Sequence, residues 1–189
     1  MLDERRRDYD VETLARCDQM TGDSWADVKL ERWELEAACI VGAIRQARAI
    51  SDKRCPRFPF RDEAEAWDNH VCAAIGEQGF AKWANVYWNH GVDTFQRFGD
   101  VGEIEVRWTA MRPPRLKAKD SDKDATRIVC CSSTGDVVRL HGWMTARTAK
   151  AVGASRSPRP GVAAYFVDMD KLLPMHELRT VMLWRDEDF

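Results

Sequence analysis

The sequence predicts a mixed α/β (α+β) domain, with one central mixed sheet flanked by helices. Three observations carry this reading. Apolar residues recur every three or four positions across Leu30–Ile50, and again from about Asp62 to Val86. After Gly91 the pattern changes to period-two alternation and short continuous apolar runs, the signature of strands. The order helix, helix, several strands, short helix, strand, helix fits a single layered core.

Residues 1–28 are polar and charged, with a weak helical pattern at Val11, Leu14 and Ala15, and read as an arm or short helix ahead of one domain over 29–189. In the first long helix, Trp33, Ala37, Ile40, Val41, Ile44 and Ala47 form the stripe expected to be buried, with Glu34, Arg45 and Arg48 off it. Ser51 and Asp52 end that helix, and Pro56 and Pro59 keep the chain extended. In the second helix the stripe is Trp67, Val71, Ala74, Ile75 and Ala81. Gly76 and Gly79 interrupt it at about 1 kcal/mol each relative to alanine, which points to close packing on the sheet or to close approach by a substrate.

The first strand is Val92-Asp93-Thr94-Phe95, followed by a turn or strand end at Gly99-Asp100-Val101-Gly102. Glu103 to Thr109 alternates, with Ile104, Val106 and Trp108 on one face. Thr126–Cys131 is nearly all apolar, as a central strand requires, and Val137–Trp143 is another strand. Residues 144–152 suit a short helix. A basic Pro/Ser loop follows over Ser155–Gly161, then a strand at Ala163–Val167 and a helical turn through Leu172 to Leu178.

A chain of 189 residues, 44% of them hydrophobic, can bury a full core without disulfide staples. With 29 basic and 31 acidic residues it is no globally basic coat for nucleic acid, so electrostatic recognition has to be local. The charged start, Met1-Leu2-Asp3-Glu4-Arg5-Arg6-Arg7, lacks the apolar core of a signal, and no apolar run reaches membrane-span length; a cytoplasmic protein is expected. The six cysteines form no CxxC pair and the four histidines are scattered, which argues for reduced, mostly buried thiols rather than a zinc site. The eight tryptophans are explained at Trp33 and Trp67 by core filling, while Trp88 and Trp143 are open to base stacking.

The segment Asp100-Val101-Gly102-Glu103-Ile104-Glu105-Val106-Arg107 carries the most chemistry. On a strand, Glu103, Glu105 and Arg107 share the face opposite Ile104 and Val106, and Asp100 sits close enough upstream for its carboxylate to join that of Glu105 around one cation. Magnesium prefers one or two carboxylates completed by water and phosphate oxygens. The plainer alternative is a solvated strand face with cross-strand ion pairs.

An Asp, a short gap and then Glu-x-Lys form the core motif of the PD-(D/E)XK nuclease superfamily, which Asp100…Glu105-Val106-Arg107 resembles. From about Trp67 to Leu178 the chain is similar to small phage and prophage proteins of that fold. The likeness rests on Gly76-Glu77, Val92-Asp93-Thr94-Phe95, Gly99–Gly102, Glu105–Arg107, His141-Gly142-Trp143, Ala164–Val167 and Leu172-Leu173-Pro174. The resemblance implies a restriction-endonuclease-like core in a bacterial host cytoplasm. It implies a magnesium- or manganese-dependent endonuclease in which Asp100, Glu105 and Glu77 hold the metal. Arg107 stands where the superfamily has lysine. An arginine stays charged and can only position or stabilise, so the resemblance equally allows an inactive relative that binds DNA or a protein.

DNA is the expected partner, gripped through Arg112, Arg115 and Lys117, with Lys119 beside them, and through Arg156 and Arg159 in the later loop. Asp120, Asp122 and Asp124 dilute the first cluster, so a solvated hairpin is the alternative there. Lys150 is a further stand-in for the absent lysine. A third reading is an accessory or inhibitor protein that binds another protein through its apolar N-terminal helix.

Overall fold

Reciprocal capping starts the first helix. Glu31 and Glu34 close a capping box ahead of α1 (Arg32–Ser51), and the Asp62 side chain accepts from Glu65 N–H to open α2 (Glu63–Ala84). Asn85, with φ 55°, ends α2 in the left-handed region. The computed structural model describes residues 24–54, 62–92, 99–159 and 162–183. Cys17, Cys55, Pro56, Pro59 and most of the strand expected at Val92–Phe95 lie outside the described residues.

The strands are β1 (Ala26–Lys29), β2 (Ile104–Trp108), β3 (Arg115–Lys119), β4 (Arg127–Thr134), β5 (Val137–Thr145), β6 (Ala154–Arg159) and β7 (Val162–Asp168). α3 (Ala146–Val152) lies between β5 and β6, and α4 (Met175–Leu183) follows β7. Four strands form a mixed sheet in the order β1-β5-β4-β2, with β2 parallel to β4 and the other pairs antiparallel. β3, β7 and β6 form a second, antiparallel sheet.

Two apolar clusters define the layers. Ala38, Val41, Ala74, Ile75 and Phe80 of the helices pack on Ile104, Val106, Val129, Cys131, Val138 and Leu140. On the other side of the same sheet, Ile128, Cys130 and Met144 meet Leu116, Ala118 and Val167, with Ala146 and Ala149 of α3. The order is therefore helix pair, four-stranded sheet, three-stranded sheet. Because Ile104 and Val106 face the helices, Glu105 and Arg107 face away from them, toward β3.

The mixed α/β class agrees with the sequence, and so do the central place of β4 and the position of α3. Three expectations need correction. The described residues form two sheets rather than one central sheet, because β3 and β6 are strands that read as a diluted basic cluster and a Pro/Ser loop. β3 has only Leu116 and Ala118 to mark its inward face, and β6 pairs as an edge strand with exposed side chains at Ala154–Ser157. The sheet also takes in Ala26–Lys29, most of which the sequence places in the arm.

The second correction concerns α1. Trp33, Ile40 and Ile44 are 66%, 61% and 40% exposed, and the buried face is Glu34, Ala38, Val41, Gly42 and Gln46. Small residues win because the helices approach closely: a Cβ on Gly42 would come within 2.5 Å of Val71 Cα. Trp67, on α2, is likewise more exposed than its stripe predicts. Third, Trp88 and Trp143 are buried, their indole N–H groups donating to Glu77 and to the Pro174 carbonyl, so neither is free to stack on a base.

Gly76 and Gly79 pack on the sheet. Added Cβ atoms there would lie 2.5 Å from Cys131 Sγ and 2.6 Å from Val138 Cβ. Among the described residues no helix is long and apolar enough to cross a membrane.

Candidate functional site

The turn before β2 is built to place one carboxylate. Gly102 adopts φ 60°, and Val101 and Ile104 exchange backbone hydrogen bonds of 3.1 and 3.0 Å across it. Asp100 is thereby carried to the rim of the sheet, where its Oδ2 accepts from Val106 N–H at 2.9 Å. Among the described residues β2 pairs only with β4, and Asp100 serves the Val106 amide on its other side.

Below this rim, Glu105 and Arg107 project together toward the second sheet. Arg107 Nη2 lies 2.6 Å from Glu105 Oε2 and 3.1 Å from Asp122 Oδ1. The other Asp122 oxygen accepts from Lys119 N–H at 2.8 Å, which fastens the turn after β3 to the same group. β3 adds Lys117 and Lys119, two residues apart and on the face opposite Leu116 and Ala118.

The side chains share one electrostatic environment. Burial raises the Glu105 carboxyl; Arg107 pulls it back, and the Asp100 charge raises it further. Lys119 is lowered by burial and then by Arg107, against the pull of Asp122, Glu105 and Asp100. Lys117 falls to about 8, chiefly through burial, then through Lys119 and Arg107. Glu105, Arg107 and Asp122 thus form one ion-paired group between the edges of the two sheets, with Asp100 at its rim and the end of β3 tied in through the Lys119 amide.

Glu77 stands apart from this group. It is 2% exposed and faces the helix layer, where Arg45 donates to both its oxygens at 2.6 and 2.7 Å and Trp88 donates at 3.0 Å. Burial pushes its carboxyl up, to about 7, while the Arg45 hydrogen bonds hold it down. The Asp100 charge reaches it, but its oxygens are taken up by arginine and tryptophan, as in a structural ion pair.

Among the described residues no group of three or more His, Cys, Asp or Glu is placed to hold a metal ion. Asp100 and Glu105 offer a two-carboxylate, oxygen-only donor set. That fits magnesium or manganese completed by water and phosphate, provided Glu105 leaves Arg107.

No family model, curated protein or solved structure matches this chain. Function has to be argued from the side chains themselves.

The basic residues divide. Arg112 is exposed in the β2–β3 connection. Arg115 is paired with Asp168 at 2.7 Å. Strand register aligns Lys119, Ala164 and Arg156 in one row across the second sheet, and Lys117, Phe166 and Ala154 in the next. Lys117, Lys119 and Arg156 therefore share a face, with the Arg156 guanidinium 5.5 Å from the Phe166 ring centroid. Arg159 lies on the same strand, β6. Lys150 reaches the Asp122 carbonyl and the Asp124 carboxylate instead of the two site carboxylates.

Sequence reasoning sets Lys119 among the phosphate-gripping residues rather than beside the carboxylates, and gives Asp122 no place in the site. The alternation in Arg115-Leu116-Lys117-Ala118-Lys119 was the available signal for Lys119, since it places the two lysines on one strand face.

Proposed function

We propose that the chain is a metal-dependent nuclease that hydrolyses DNA phosphodiester bonds in the cleft between β2 and β3. The observation that carries this is geometric: Asp100 and Glu105 stand on β2 and its entry turn, and Asp122, 3.1 Å from Arg107 and accepting from Lys119 N–H, ties the end of β3 to them. Asp100 and Glu105 would hold magnesium or manganese, which supplies an activated water and offsets charge on the phosphate. Lys119 brings to the carboxylates the lysine that the Asp…Glu-x-Arg motif lacks. Burial disfavours its charged form, so the neutral amine can accept the proton of the attacking water as the new P–O bond forms and the bond to the leaving sugar oxygen breaks, that oxygen taking its proton from solvent. Arg107 can turn from Glu105 to a non-bridging phosphate oxygen; its buried Nε has no hydrogen-bond partner among the described residues. Lys117 and Arg156 line the face along which the DNA backbone would run.

One observation favours a second reading. Glu105 is already neutralised by Arg107 at 2.6 Å, as suits an inactive scaffold that binds DNA or a protein. Labelled linear, nicked and single-stranded DNA, incubated with magnesium or manganese, separates the two. Metal-dependent cleavage that disappears in Asp100→Asn, Glu105→Gln and Lys119→Ala supports the nuclease. Absence of cleavage by folded wild-type protein, with DNA binding indifferent to metal, supports the scaffold.

A further inference from the structure

The second sheet has two faces of opposite character. Leu116, Ala118 and Val167 are buried with Ile128, Cys130 and Met144 of the first sheet and with α3. Strand register lays out the other face in three rows: Arg115 and Asp168; Lys117, Phe166 and Ala154; Lys119, Ala164 and Arg156. Across these rows stand four basic side chains and one carboxylate, and that carboxylate is held by Arg115 at 2.7 Å. The face is therefore electropositive around a single aromatic ring, although the whole chain carries a net charge of -2.

Phe166 is the centre of this arrangement. Lys117 flanks it on β3 and the small Ala154 on β6. The ring is half-buried, Ala154 and Arg156 are exposed, and the Arg156 guanidinium lies 5.5 Å from the ring centroid. An aromatic ring among cations on a sheet face can stack a base while the phosphates on either side are paired. The guanidinium does not close the ring off. Stacking of a base outweighs one exposed cation–π contact by roughly fivefold in binding constant, so a base can displace Arg156 toward the adjoining phosphate. A duplex gains little here, because its bases stack on one another and one must be flipped out before it reaches the ring. Within these rows the one acceptor side chain, Asp168, is already engaged by Arg115, so a ribose 2′-hydroxyl finds no carboxylate to receive its proton.

We infer that this face of the second sheet binds single-stranded DNA, with one base stacked on Phe166 and the adjoining phosphates on Arg156 and Lys117. The inference rests on the DNA-binding part of the function proposed above and not on hydrolysis. Binding is therefore measured with EDTA present, where the fate of the metal site does not enter.

Fluorescence anisotropy of the full chain tests this with labelled oligo-dT of about 20 nucleotides, longer than one such face occupies, and with a duplex of the same length. Wild type is expected to bind oligo-dT at least about tenfold more tightly than the duplex. Phe166→Leu, which keeps the apolar packing, weakens oligo-dT about tenfold and leaves the duplex within about twofold, whereas Phe166→Tyr keeps a ring and binds as wild type. Arg156→Gln lowers the slope of log affinity against log salt by about 0.7. Photocross-linking of wild type to oligo-dT carrying one iodouracil marks Phe166 with no substitution, so a variant that folds poorly does not decide the matter. Equal affinity for strand and duplex overturns the inference. So does tighter binding of oligo-rU than of oligo-dT, undiminished oligo-dT binding by Phe166→Leu, or cross-links that all fall outside β3, β6 and β7. If the supporting results hold and no cleavage occurs with metal, the nuclease reading alone falls.

Discussion

Arg107 Nη2 lies 2.6 Å from Glu105 Oε2, although both side chains leave the same face of one strand two residues apart. One partner of the candidate metal site is therefore neutralised from within its own motif. In Arg107→Gln the carboxylate is released, and magnesium affinity measured by calorimetry should rise about tenfold, the effect of removing roughly 1.4 kcal/mol of competing ion pairing. An unchanged affinity would remove Glu105 from the list of ligands.

Lys119 is the residue on which catalysis is expected to turn. Lys119→Ala should lower the cleavage rate by at least about 100-fold with little change in DNA affinity, since it removes a group acting on the reacting atoms rather than a surface contact. Lys150→Ala, which touches only the loop at Asp122 and Asp124, should leave the rate within about twofold on the same grounds. Single-turnover kinetics separates the two.

Glu77 is expected to matter for stability rather than for metal. Glu77→Ala strands the partly buried Arg45 guanidinium and should destabilise the fold by about 3–5 kcal/mol in denaturant titration. Glu77→Gln, which keeps the shape, should bind magnesium as wild type does. A Glu77→Gln protein that folds but no longer binds metal would contradict this assignment.

His141 gives the fold an acid sensitivity. Its Nε2 lies 2.8 Å from Ser132 Oγ, and burial, followed by the Arg139 charge, lowers its pKa from 6.5 to about 4. The unfolded chain then binds more protons than the folded one between these two values. Stability is fully present above pH 6.5 and is lost as pH falls toward 4, by about 3 kcal/mol at most. His141→Gln should flatten that part of the pH–stability curve; an unchanged slope would place the acid sensitivity elsewhere.

Gly79 sets the distance between α2 and the sheet. Gly79→Ala gains helix propensity but drives a methyl group into Val138, whose side-chain atoms lie 2.6–2.7 Å from the added Cβ. The expected net loss is about 1–2 kcal/mol. In a Val138→Ala background the loss should shrink by about 1 kcal/mol or more, a coupling that a double-mutant cycle would reveal.

Much of the fold was legible where burial and period coincide, as in β4, with its run Ile128-Val129-Cys130-Cys131, and in β2, where Ile104 and Val106 alternate with charges. It was least legible where backbone pairing or small residues decide. β6 offers no apolar face to read, β3 hides behind Pro113-Pro114, and α1 turns Ala38 and Gly42 inward while its largest side chains point out. At the site, spacing along one strand sufficed to group Asp100, Glu105 and Arg107. Lys119 could not be added, because its proximity depends on how the second sheet stacks on the first. Glu77 looked like a ligand because a helical glutamate is ambiguous until its partner, 32 residues away at Arg45, is known.

The hydrogen bond from Val106 N–H to Asp100 has a consequence for handling the protein. An open sheet margin with a vacant amide is adhesive: it invites an extended segment from another molecule to zip alongside. Asp100 occupies that amide with a charged cap, so the carboxylate proposed for chemistry also disfavours the pairing of another strand there. Replacing it with alanine would remove the proposed ligand and the shielding together, and a precipitating sample would be mistaken for an inactive one. Asparagine retains an acceptor for Val106 while removing the charge, which makes it the substitution that tells loss of chemistry from loss of solubility.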